Sequence, residues 1–176
     1  VILISLFGLY LYTYRRKLLD SLRHVLFFTI LMAMLICAAF LVLRHFSASY
    51  IFLIPFAWVP IITRVFYDSR TAIFIHIITV FIVSIAAPAP YVFILLQVIT
   101  GIVAVISLRD MTQRAQLAQT ALFTFLMYSV VYTASTLLVT GSIANVEYNY
   151  YIYFAVNAVL VICAYGLIFL FERTFG

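Results

Sequence analysis

The chain has 176 residues, 68 % of them hydrophobic and only 9 % charged, with a formal net charge of +5. An ordinary soluble domain carries about 25 % charged residues, and a soluble fold this apolar would leave large patches in contact with water, so a soluble domain is excluded. The positive charge does not indicate a nucleic-acid polymer, because the ten Lys and Arg residues sit in short clusters beside apolar runs rather than in a stripe along one face.

The first apolar run covers residues 1–14 and would reach ~21 Å as a helix at ~1.5 Å per residue, short of a hydrocarbon core of ~30 Å. The positive residues follow it, whereas a signal peptide places them first. The run is therefore read as part of a crossing, in a chain that is a piece of something longer. Arg15, Arg16, Lys17 and Arg23 come next, with Asp20 at helical reach of Arg16, Arg23 and His24. The second span, about 25–43, carries no charge. Arg44 to Ser49 form a short loop. The third span, about 50–67, contains Pro55, Trp58 and Pro60. Proline removes a backbone donor, so this span is predicted to be kinked or locally unwound.

Asp68, Ser69 and Arg70 make the next turn, where Arg64 and Asp68 are spaced to pair. The fourth span, about 71–87, includes His76. Pro88, Ala89 and Pro90 turn the chain into the fifth, about 91–108, which holds Gln97, Thr100 and Gly101. Asp110 and Arg114 lie four apart in the following turn, with the acid first. The sixth span covers about 117–140 and the seventh about 150–171, separated by a loop that holds Glu147. Small residues four apart, Thr100 with Ala104 and Ser129 with Thr133, allow close helix contact. Tyr148, Tyr150, Tyr151 and Tyr153 suit a membrane interface. No internal repeat is visible.

These runs are continuously apolar, unlike the ~10-residue alternating strands of a membrane barrel. The fold class is thus all-α: a seven-transmembrane helical bundle forming a single domain over residues 1–176. Nine of the ten cations follow odd-numbered runs and only Arg44 follows an even one. Cytoplasmic loops carry the excess of Lys and Arg, which sets the N-terminus outside and the C-terminus in the cytoplasm.

Polar residues inside spans are the functional candidates. His76 is a candidate switch position, against a plain neutral imidazole bonding a neighbouring helix. Gln97 and Asn157 either bond across helices or line a cavity. Pro55 and Pro60 either frame a broken-helix site or simply kink the span. Cys37 and Cys163 both lie within apolar runs and are read as small membrane-buried side chains; no CxxC is present. No GxSxG, HExxH or phosphate loop occurs, and His24, His45 and His76 are scattered. No catalytic, cofactor-binding or metal-binding residue is assigned.

Several segments, taken in order, carry a family resemblance. Leu53-Ile54-Pro55-Phe56-Ala57-Trp58-Val59-Pro60 leads into Tyr67-Asp68-Ser69-Arg70-Thr71-Ala72. Gly101 precedes Ser107-Leu108-Arg109-Asp110-Met111-Thr112-Gln113-Arg114. Asn157 and the terminal Phe171-Glu172-Arg173-Thr174-Phe175-Gly176 complete the set. Together they resemble the membrane region of bacterial seven-transmembrane receptors with an intracellular HD phosphohydrolase domain. The resemblance implies a multi-pass protein of the bacterial cytoplasmic membrane, with an extracellular sensor domain before the spans. It also implies a cytoplasmic HD domain after them that hydrolyses cyclic-di-AMP with a divalent metal pair. None of those metal ligands is in this chain. Glu172, Phe175 and Gly176 would form the join to that domain.

The expected role is then signal transduction from an unidentified ligand outside to a hydrolase inside, with a passive anchor as the plain version. A small transporter or channel subunit is the alternative from another class. It would need a polar path through the bundle, for which His76, Gln97 and Asn157 offer little.

Overall fold

The computed structural model describes residues 2–16, 21–108 and 115–175. The expected Asp20 and Asp110–Arg114 pairs, and Gly176 at the join, lie outside them. The described residues form helices joined by short turns, with no strand among them. The helices are α1 (Ile2–Tyr14), α2 (Leu22–His45), α3 (Trp58–Phe66), α4 (Ser69–Ser84), α5 (Pro90–Ser107), α6 (Ala115–Thr140), α7 (Asn149–Ile162) and α8 (Ala164–Phe175). A 3-10 segment, Ala48–Leu53, precedes α3, and a single residue, Cys163, separates α7 from α8. Five stretches are long and apolar enough to cross a membrane: α2, α5, most of α6, the 3-10 segment with α3, and α7 with α8. The other two apolar helices, α1 and α4, are shorter.

The surface is inverted relative to a water-soluble protein. Leu9, Leu138, Val159 and Phe169 are exposed, while Thr63, His76, Gln97, Thr100 and Asn157 are buried. In lipid this is the favourable arrangement, since apolar surface needs no cover and polar groups find partners only inside the protein. Cys37 and Cys163 both lie on the outer surface of the bundle. Helix α4 packs against α1, α2, α3 and α5. It has sixteen residues, nine of them buried.

The third span is broken, and the chain chemistry shows where. The carbonyl of Phe52 lacks a backbone donor. Its 3-10 partner would be Pro55, which has no N–H. The next N–H along, that of Phe56, goes to the Ile54 carbonyl at 2.9 Å. Pro60 lies in the first turn of α3, where a missing N–H costs no helical hydrogen bond. Of the two prolines, Pro55 therefore marks the break and Pro60 fits a regular helix start. Pro90 likewise opens α5. Gly141 closes α6 with φ +67, its N–H bonded to the Leu137 carbonyl at 2.8 Å, a left-handed cap that glycine adopts without strain.

Candidate functional site

Asn157 reaches across from α7 into the break. Its Nδ2 donates to the carbonyls of Phe52 at 2.9 Å and Ile54 at 2.8 Å. One step along, Trp58 Nε1 donates to the Leu160 carbonyl of α7 at 2.8 Å. Three hydrogen bonds thus fasten the broken span to the last span, and Asn157 is fully buried. The amide replaces the donor that Pro55 took away, so it satisfies the Phe52 carbonyl, which otherwise lacks a partner in a lipid environment, and adds a second donor to the Ile54 carbonyl beside the Phe56 N–H. On the same helix, the Phe154 ring meets the Phe52 ring edge-on and stacks on Tyr128 at 5.1 Å between centroids.

A second polar cluster joins α4, α5 and α6. His76 Nε2 donates to the Gln97 backbone carbonyl at 2.8 Å, and Tyr128 donates its hydroxyl to Gln97 Oε1 at 2.6 Å. All three side chains are buried. A carbonyl only accepts, so Nε2 carries the proton of this bond. The imidazole lies directly on Gly101 of α5, and a Cβ there would overlap the ring. Glycine at this position is what lets α4 and α5 approach closely enough for the histidine to bond across. The Phe56 carbonyl, within the break, also lies beside the ring. His76 and Gln97 are therefore brought together, and Asn157 stands in the neighbouring cluster rather than in one pocket with them.

The third group lies at the end of the bundle where α1 stops and α4 starts. Arg15 pairs with Asp68 at 2.7 Å, Thr71 donates to Asp68 Oδ1 at 2.7 Å, and the Tyr10 and Thr71 hydroxyls lie 3.3 Å apart. The partner of Asp68 is thus Arg15 and not Arg64 as the four-residue spacing predicts. Arg64 Nε makes no hydrogen bond, and Asp68 precedes α4, where the incoming end of α1 presents its cation. Burial works to raise the Asp68 carboxyl, but the Thr71 and Arg15 hydrogen bonds and the Arg15 charge outweigh it and hold it below its ordinary value.

Beside this pair, Phe27 packs against Phe66, Tyr67 and Phe171, the last at 5.1 Å between ring centroids. Phe171 thereby anchors α8 to the start of α2, immediately before the exposed Glu172. Sequence reasoning missed Tyr128, Trp58 as a donor, Phe27 and Phe171. Phe27 and Phe171 carry no local signal, because an aromatic residue in an apolar run does not reveal which helix it faces.

Among the described residues no three His, Cys, Asp or Glu side chains gather as a metal site would require. A model of the family described as 7TM receptor with intracellular HD hydrolase matches residues 1–176, the whole chain. No curated protein and no solved structure matches it.

Proposed function

The chain belongs to the 7TM receptors with an intracellular HD hydrolase, and on that footing we propose that it is the seven-crossing, signal-transducing membrane region of such a receptor. In this reading it lies in the bacterial cytoplasmic membrane with the Arg15, Asp68 and Phe171 end inside. A sensor domain outside supplies the signal, and an HD domain continuing from α8 hydrolyses cyclic-di-AMP. The asymmetric placement of Lys and Arg supports the orientation. The divalent metal pair of the hydrolase belongs to that domain. The described residues of this chain offer no donor set for it, and no step of hydrolysis runs through them.

The observation that carries transduction over passive anchoring is the fastening of α7 to the broken third span through Asn157 and Trp58. A helix interrupted at Pro55 is held to α7 by these bonds. Making or releasing them would shift α7, the span that leads to α8. Coupling of this kind requires two packings with different affinities for the signal.

The test uses the intact receptor in native membrane vesicles. Asn157→Leu is expected to shift the rate of cyclic-di-AMP hydrolysis several-fold at unchanged protein level, and to abolish its response to the extracellular signal. An unchanged rate and response would make the bundle an anchor. Turnover of cyclic-di-GMP with none of cyclic-di-AMP would overturn the substrate. Labelling of Glu172→Cys from outside intact cells would overturn the orientation.

A further inference from the structure

A pocket of about 310 Å³ lies at the end of the bundle away from the Arg15–Asp68 pair. Helix α4 sets that separation: Asp68 precedes its first turn, and Ala87, which lines the pocket, follows its last. Its sixteen residues span ~24 Å at ~1.5 Å per residue. In the proposed orientation this is the outer end. Three elements meet there: the 3-10 segment, the turn through Pro88, and the first turn of α7, which supplies Tyr150. The volume falls at the lower end of the roughly 300–1,000 Å³ of small-molecule sites.

The lining is aromatic. The buried Phe52 ring meets Phe93 of α5 at 6.2 Å and Tyr150 of α7 at 5.5 Å between centroids, and all three residues line the pocket. The polar groups beside them are uncharged. The Ser49 and Tyr150 hydroxyls lie 3.1 Å apart and share one hydrogen bond. Two hydroxyls carry two protons, so one donor and several lone pairs remain for another molecule. Pro88 and Pro90 remove two N–H groups from the adjoining turn, and neither the Ala87 nor the Pro88 carbonyl accepts a backbone hydrogen bond among the described residues. Acceptors therefore outnumber donors. No Lys, Arg, His, Asp or Glu among the described residues lines the pocket. Aromatic walls favour a flat ring, spare acceptors favour an N–H or O–H on it, and an ion would lose its hydration with no facing charge to offset the loss.

We propose that this pocket binds an uncharged aromatic molecule with one N–H or O–H donor, of the phenol or indole class, its ring against Phe52, Phe93 and Tyr150. Phe52 also gives its carbonyl to Asn157 of α7, and Tyr150 belongs to α7 itself. A molecule held there bridges the 3-10 segment and α7, in the same sense as the Asn157 bonds. As an input to the hydrolase it rests on the transducing role proposed above; as a binding site it does not.

The test photolabels the intact receptor in nanodiscs with 5-azidoindole and maps labelled peptides by mass spectrometry. A hollow on α6, lined by Ser129, Val130, Thr133 and Ala134, is the internal control for molecules that merely dissolve in lipid. Label is expected to saturate on the peptides that hold Ser49, Phe52 and Phe93, to be displaced by unlabelled indole, and to rise linearly at the control. 1-Methylindole, which lacks the N–H, is expected to displace it about fivefold less well, the value of one ordinary hydrogen bond. Ala48→Trp, which fills the pocket, and Tyr150→Leu, which removes one ring, are each expected to abolish the saturable label and leave the control unchanged. Unsaturable label at both places would mean partition into lipid only and would overturn the proposal. So would displacement by cyclohexanol as effective as by indole, tighter binding of the charged tryptamine than of indole, or saturable label insensitive to both substitutions. Labelling reads the pocket whether or not hydrolysis responds, so its failure and a failure of the transducing role are separate results.

Discussion

The two buried polar clusters are equally dry, yet they do opposite things to the helices that carry them. At His76, Gln97 and Tyr128 the helices are intact, and the side chains add bonds to backbones that are already satisfied. At Asn157 the helix is broken, and the side chain replaces bonds that the backbone has lost. The first cluster therefore glues helices together. The second holds a backbone defect in place, which is where the proposed movable element would sit. Buried polar groups in a membrane bundle thus do not share one role, and the state of the backbone they bond to tells the roles apart.

The comparison breaks most readily at Asn157. Asn157→Leu leaves the Phe52 carbonyl without a donor at roughly 1–3 kcal/mol in a dry setting, and removes one of two donors from the Ile54 carbonyl, which keeps the Phe56 N–H, at ~0.6–1.7 kcal/mol, the range found for membrane hydrogen bonds. A loss of about 3 kcal/mol is expected in reversible unfolding from bicelles, with altered hydrolysis in the intact receptor. If stability falls and hydrolysis keeps its signal response, the defect is structural only.

Gly101→Ala probes the intact cluster and is expected to cost about 2 kcal/mol by overpacking against the imidazole. His76→Ala in the same chain should recover part of that loss in a double-mutant cycle, while Gly101→Ala leaves the signal response in place. A cost above that of Asn157→Leu would reverse the ranking of the two clusters.

Tyr128→Phe deletes the donor to Gln97 Oε1 and is expected to cost about 1 kcal/mol, again without effect on signalling. The smallest effect belongs to the Arg15–Asp68 pair, whose side chains are 41 % and 35 % exposed. Asp68→Asn is expected to cost less than about 1 kcal/mol. The Asp68 pKa is lowered in the folded protein, so the pair contributes fully above the ordinary carboxylate range and loses its contribution as pH falls through the lowered value. Unfolding measured from pH 7 downward should therefore show an acid-side loss of stability that the Asn variant lacks.

The helices and the weakness of the third span were legible in the sequence, because each is a property of a short stretch. Apolar runs must be helical in lipid, since the bilayer offers no other partner for the backbone. A proline inside such a run must cost a hydrogen bond, and Pro55 does so while Pro60 does not, a distinction that depends on where α3 begins. The candidates His76, Gln97 and Asn157 were found by polarity alone. Their division into two clusters was not, because polarity carries no address.

What the sequence determined by itself is where this chain is apolar, where it is charged, and hence that it lives in a membrane as a helical bundle. Only the tertiary structure decided who meets whom. Asn157 finds carbonyls 105 and 103 residues away, Tyr128 finds Gln97 across 31 residues, and Asp68 takes Arg15 in place of the nearer Arg64. Hydropathy and helical spacing act within a few turns, whereas these pairings depend on how each helix is rotated and how closely its neighbours approach. Packing sets those two quantities for all the helices together.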